Sequence, residues 1–172
     1  MRPSLVALAV SMAVFLGGCG GQGSGPSSEP SAPEPSAAHV AVVRLQETGG
    51  FAVPQERRAP PRLVVYADGW AVADGKTSAR LTREQIDGLL RDLRQDLDGL
   101  PRVVRPDGVA INDASTVGIT VRTEQGTQQT VTANGLSVYP QAFPEPLVHA
   151  WRGLSELTTH VQRTGTPHPA TR

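Results

Sequence analysis

Cys19 is the one cysteine of the chain, and it lies directly after Leu16-Gly17-Gly18 and before a Gly/Ser/Pro tract. A lone cysteine is ordinarily a small buried hydrophobe, but these flanks set its thiol apart. Other residues able to do chemistry do not assemble into a catalytic set. A Gly-x-Ser-x-Gly turn, which would present a nucleophilic serine, is absent, and Ser115, Ser137 and Ser155 stand in unremarkable contexts. No Gly-rich loop carrying a lysine is present to cradle phosphate. The four histidines are His39, His149, His160 and His168. His149 and His160 share a helix face but lie about 16 Å apart along its axis, too far for one metal ion with Zn–N bonds near 2 Å. The loop from Asp107 to Asp113, with Asn112, offers oxygen ligands of the calcium-binding kind. Its spacing fits two turns better, at Asp107-Gly108 and Asn112-Asp113. Asp92 and Asp96 lie one helical turn apart, interleaved with Arg91 and Arg94, as on a solvated face. No catalytic residue, metal site or cofactor is expected.

The residues around Cys19 form an export signal. Arg2 and the free amine supply a cationic start, Leu5 to Leu16 an apolar middle, and Gly17-Gly18 a small-residue cleavage site. The apolar run falls short of the roughly 20 residues of a spanning helix. Ordinary secretion and an uncleaved anchor are the rival readings. Leu16-Gly17-Gly18-Cys19 resembles the lipobox of bacterial lipoprotein signal peptides. That resemblance implies cleavage after Gly18, a diacylglyceryl group on the Cys19 thiol, and a place at the extracytoplasmic face of the cell membrane. Two acyl chains hold a protein firmly where one binds marginally, so no amphipathic membrane helix or basic patch is needed.

Residues 19–38 read as the lipidated cysteine and a disordered tether. After Cys19 the tract is Gly, Ser, Pro and Ala with Gln22, Glu29 and Glu34, and it has no large apolar side chain to offset the entropy of ordering. As a flexible coil it would span about 25 Å, and as a polyproline-like rod about 60 Å. Loss of the signal leaves 154 of the 172 residues, enough for one domain and too few for a two-lobed solute-binding protein. The mature chain is nearly neutral, 15 basic against 16 acidic residues, which points to neither nucleic acid nor an anionic surface. All the basic residues but Lys76 are arginine, a usage similar to that of GC-rich actinobacterial genomes. With Cys19 consumed by lipid, the domain holds no thiol for a disulfide, and its stability rests on core burial.

Residues 39–163 read as a single α+β domain, a small antiparallel sheet packed against two helices. A strand is expected over His39–Glu47, broken at Thr48-Gly49-Gly50. A hairpin follows, with strands at Pro61–Tyr66 and Trp70–Ala73 about Asp68-Gly69, closing at Asp74-Gly75. Thr82-Arg83-Glu84-Gln85 is a capping box. Behind it Ile86, Leu89, Leu90, Leu93 and Leu97 form one stripe, so a helix is predicted over 83–98, ending at Gly99 and Pro101. Residues 116–122 and 128–132 flank Glu124-Gln125-Gly126 as a second hairpin. Leu147, Val148, Trp151, Leu154, Leu157, Thr158 and Val161 mark a last helix over about 146–162, with Pro144 and Pro146 at its first turn. Residues 164–172 read as a disordered polar tail.

Arg44-Leu45-Gln46-Glu47-Thr48-Gly49-Gly50-Phe51, the strand pair about Asp68-Gly69 and the helix start Leu81-Thr82-Arg83-Glu84-Gln85 together resemble the emfourin family of metalloprotease inhibitors. The likeness covers residues 40–90. The chain departs from the family through its long connector, Ala52 to Pro61, its extra length and its anchor, and no inhibitory residue transfers. The resemblance implies a protein partner, in its specific form a thermolysin-like protease.

Among the aromatic residues, Trp151 falls on the last helix's apolar stripe and reads as core. Phe51, Trp70, Tyr139 and Phe143 sit in or beside turns, where packing and a binding surface are both open. The expectation is therefore a non-enzymatic, membrane-anchored protein-interaction module, with Gly49, Gly50, Phe51 and Trp70 as candidate binding residues. The alternative is a small-ligand or cell-wall-sensing domain that uses a pocket between sheet and helices.

Overall fold

The computed structural model describes residues 40–49, 59–108, 110–111 and 113–168. Cys19, the signal, the tether, His39, Gly50, Phe51 and Asn112 lie outside the described residues. The strands are β1 (Ala41–Gly49), β2 (Leu63–Tyr66), β3 (Trp70–Ala73), β4 (Thr77–Arg80), β5 (Val103–Val104), β6 (Ser115–Arg122), β7 (Gln128–Asn134) and β8 (Thr166–Pro167). They form one sheet in the order β5-β7-β6-β1-β2-β3-β4-β8. Every pair is antiparallel except β5 with β7. The helices α1 (Arg83–Leu97) and α2 (Glu145–Thr164) complete the α+β fold.

Register explains why one face of the sheet is core. Side chains alternate along a strand, and the pairings line up apolar rows across it. One row runs Val131, Ile119, Leu45, Leu63, Ala73; the next runs Val121, Val43, Val65, Ala71. All of these residues are buried. Both helices cover that face, closing the core with Ile86, Leu93 and Leu97 from α1 and Leu147, Leu154 and Val161 from α2. On the opposite face β1, β6 and β7 are polar. There Thr120 and Thr130 meet hydroxyl to hydroxyl at 3.0 Å, and Asn134 donates to Thr116 at 3.2 Å. Val64 and Val72 are nevertheless buried on that side.

The capping box at α1 forms as its spacing predicts. Gln85 N–H donates to Thr82 Oγ at 3.2 Å, and Thr82 N–H donates to the Gln85 side-chain oxygen at 2.8 Å. α2 is a little longer than its pattern suggests, because Gly165 N–H still donates to Val161 O at 2.9 Å. Three short strands are not foreshadowed by pattern. β4, Thr-Ser-Ala-Arg, has no apolar alternation and exists by pairing with β3 across the Asp74-Gly75 turn, where both residues have positive φ. β5 and β8 are two residues each and follow the neighbours they pair with. Thr166–Pro167 thus adds to the sheet from within the stretch read as a tail, held further by His168 N–H on Lys76 O at 2.7 Å. Close packing allows this junction. A Cβ at Gly165 would sit 2.6 Å from both Ser78 O and Val161 O.

Candidate functional site

Of the candidate binding residues of the sequence, Gly49 and Trp70 are described, and these two do not converge. Gly49 ends β1 opposite Ser115, with φ of +89°, whereas Trp70 begins β3 opposite Arg80. By register the two are seven residue steps apart along the strands, about 23 Å at the usual rise. Trp70 is half-buried beneath the Arg80 guanidinium, 4.7 Å from its ring centroid. That cation–π contact gives it a packing role. Phe143 is buried, and Tyr139 is 40% exposed.

A different group of residues surrounds a cavity of about 310 Å³ between the sheet and α2. Leu45, Glu47 and Val117 form its sheet wall, Trp151, Ser155 and Thr158 its helix wall, and Arg62 and Ser137 its ends. Trp151, Ser155 and Thr158 follow the i, i+4, i+7 spacing that puts them on one helical face. Trp151, expected as core, is half-buried at this wall, because two of its neighbours on the stripe are Ser and Thr and leave space where a leucine would fill.

Backbone devices assemble the rest of the site. Glu47 pairs with Val117 on the helix-covered face of the sheet. Ser137 is delivered by a turn after β7: Gly135 N–H donates to Ser115 O at 2.8 Å, and Gly135 O accepts from Val138 and Tyr139. Only glycine fits there. Gly135 has φ of +82°, and an added Cβ would lie 2.6 Å from the Ile111 side chain.

The polar groups form one connected chain. Ser115 Oγ donates to Glu47 Oε1 at 2.7 Å and lies 3.1 Å from Ser137 Oγ. Glu47 Oε2 accepts from Arg62 Nη1 at 3.1 Å. Arg62 Nε lies 3.4 Å from Asp74 Oδ1, and Asp74 Oδ2 accepts from Gln162 at 2.6 Å. The ion pair is sheltered on one side only, the Glu47 side chain being 26% exposed and Arg62 49%. Its worth to stability is therefore small, and its consequence is orientation: both side chains are held at the cavity in fixed geometry. Such an apolar floor with a few convergent hydrogen-bonding groups is the chemistry of a small-ligand site, and the volume sits at the small end of the about 300–1,000 Å³ range of such cavities.

Of the residues that line this space, Trp151 and Thr158 were expected on the last helix's buried stripe, whereas the polar residues at its ends were not expected together. Ser137 and Ser155 look ordinary in sequence, Arg62 carries no motif, and Glu47 lies in the stretch that resembles the emfourin family without a role assigned to it. The one signal was Ser155 four residues after Trp151 and three before Thr158, polar volume beside an apolar stripe.

The described histidines take no part in the cavity. His149 Nδ1 lies 2.7 Å from Asp96 Oδ2, linking α2 to α1. Asp96, expected on a solvated face, is only 17% exposed because this contact covers it. The hydrogen bond to Asp96, then its charge, hold the His149 pKa above the ordinary value; burial opposes them, and Asp92 and Glu145 add smaller upward pulls. Asp107 sits in a turn, its N–H donating to Ala142 O at 2.8 Å. Among the described residues no cluster of three or more His, Cys, Asp or Glu is placed to hold a metal ion, and no helix is long and apolar enough to cross a membrane.

No family model, no curated protein and no solved structure matches this chain.

Proposed function

We propose that this protein is a lipid-anchored, extracytoplasmic, non-enzymatic binding domain that holds a small ligand in the cavity between β1, β6 and α2. The observation that carries the binding half is the chain Ser137–Ser115–Glu47–Arg62–Asp74, which orients charged and hydroxyl groups along a space of about 310 Å³. Polar side chains beside a core are costly unless hydrogen-bonded; here they satisfy one another, and the unfilled volume they border is the space a ligand would take. The anchor half rests on Cys19 and the residues before it. The domain's role is then to present this site at the membrane surface, at the end of the tether of residues 20–38.

A protein-partner or protease-inhibitor role through Gly49-Gly50-Phe51 rests on the emfourin resemblance. Only Gly49 of that turn is among the described residues, and the cavity favours the ligand reading.

Two measurements test the proposal. Cys19→Ser is expected to abolish palmitate labelling and move the protein out of the membrane fraction; unchanged membrane attachment would overturn the anchor. A cell-wall hydrolysate is expected to raise the melting temperature of the wild-type protein and not that of Ser155→Phe, which fills the cavity. An equal effect on both, or none on either, would overturn the ligand site.

A further inference from the structure

We infer that the ligand of this cavity is a neutral, polyhydroxylated molecule of one sugar ring's size, an assignment that rests on the small-ligand reading above. Ser115 Oγ–H is given to Glu47. A hydroxyl has one hydrogen, so in the 3.1 Å contact between the two serines Ser137 must be the donor and Ser115 the acceptor. Ser155 Oγ–H goes to Trp151 O at 2.8 Å, and Thr158 Oγ–H to Leu154 O at 2.7 Å. Among the described residues, every hydroxyl lining the cavity (Ser137, Ser155 and Thr158) has thus spent its hydrogen inside the protein. What these side chains have left is lone pairs, and the walls are rich in acceptors.

Among the described lining side chains, donors come from Arg62 and the Trp151 indole N–H. Arg62 has five N–H groups and engages Glu47 through Nη1 and Asp74 through Nε, so others remain at the cavity's end. A ligand must therefore bring several hydrogen-bond donors and at least one acceptor. Charge narrows the class. Glu47 and Asp74 both engage Arg62, at 3.1 and 3.4 Å, so the guanidinium is already matched by carboxylates. A carboxylate or phosphate would face the acceptor oxygens and Glu47, and an ammonium group would sit beside the Arg62 cation. Alcohol groups satisfy both conditions, since each donates once and accepts through the same oxygen. The remaining wall is apolar: Leu45, Val117 and the ring face of the half-buried Trp151 suit the C–H face of a sugar ring.

The test uses the lipidated full chain, in micelles of a polyoxyethylene detergent that contributes neither sugar nor charge. Trp70→Phe serves as background, leaving Trp151 as the fluorescent reporter. The protein is titrated with D-glucose, D-galactose, L-arabinose and N-acetyl-D-glucosamine, and in parallel with acetate, inorganic phosphate and methylammonium. At least one sugar is expected to give a saturable change in Trp151 emission and the charged probes none. Ser137→Ala should weaken that sugar roughly tenfold, the scale of one hydrogen bond, and Ser155→Phe should abolish it. Circular dichroism checks that each variant is folded, and Ser137→Ala carries the test should Ser155→Phe fail to fold. Sugar binding unchanged in both variants would overturn the assignment. So would saturable binding of a charged probe alone, or no binding by any probe. In those last two cases the hydrolysate experiment separates the outcomes: a melting shift lost in Ser155→Phe leaves the ligand site standing and removes only the sugar class.

Discussion

The two helices lie on the same face of one sheet and have apolar stripes of similar reach, yet they meet the sheet differently. α1 presents Ile86, Leu89, Leu90, Leu93 and Leu97, aliphatic at every inward position, and its end is sewn down by polar contacts at the rim. Arg94 donates to Arg122 O at 3.0 and 3.1 Å, and Gln129 donates to Leu97 O at 2.8 Å. α2 begins and ends with aliphatic contacts at Leu147, Leu154 and Val161 but places Trp151, Ser155 and Thr158 between them. There the helix and sheet leave room, and the polar chain from Ser137 to Asp74 borders it. The difference teaches how a site is made within an ordinary core. The helix stays amphipathic, a turn of its buried stripe loses volume, and hydrogen bonds to its own carbonyls keep the small polar side chains satisfied.

Truncating the aliphatic anchors gives the largest effects. Leu97→Ala and Leu154→Ala, both at fully buried positions, should each cost about 3 kcal/mol in urea unfolding, within the range of such core truncations. A Leu154→Ala loss below about 1 kcal/mol would mean that α2 is not packed as α1 is, and the comparison would break.

Next comes the turn that brings Ser137 to the cavity. Gly135→Ala must take a positive φ and push Ile111 aside, and a cost of about 2 kcal/mol is expected from backbone and overpacking together. A crystal structure of the variant should show Ser137 displaced from Ser115; unchanged serine geometry would detach the turn from the site.

On the other side of the comparison, Thr82→Ala removes the α1 cap and should cost about 1 kcal/mol, measured by the same unfolding curves, without changing ligand binding in the α2 cavity. A change in binding would show that the two halves of the helical layer are coupled.

The smallest effect tests the link between the helices. His149 has its pKa raised in the folded protein by Asp96, so its contribution to stability is fully present below the unfolded value of about 6.5 and is lost as pH rises through the folded value. The side chain is 73% exposed, and solvent screening limits the effect to about 0.5 kcal/mol. Wild type should exceed His149→Gln by that amount in mildly acidic buffer, and the gap should close in alkaline buffer. A gap that widens with pH would reverse the assignment.

Much of the scaffold was written locally. The Thr82 capping box, the leucine period of α1, the alternation of Val117, Ile119 and Val121 and the apolar stripe of α2 are short-range patterns. Each specifies its element because period and capping are properties of neighbouring residues. The site was not legible in that way. Glu47, Arg62, Ser115, Ser137 and Ser155 come from three strands or their approaches, a turn and a helix, and none carries a spacing relation to the others along the chain. β4, β5 and β8 escaped for a related reason: strands of two to four residues with little alternation are created by the partners they pair with.

The sequence by itself determined the α+β class, both helices, the main hairpins and the singular setting of Cys19, because each is encoded within a few residues of itself. Only the tertiary structure decided that β6 lies beside β1, setting Ser115 near Glu47, and that the Gly135 turn returns Ser137 to that pair. Only it decided that α2 crosses the same end of the sheet and brings Ser155, beside Thr158, to that space. A cavity is defined by what surrounds it from several directions at once, and that information exists only after the chain has folded back on itself.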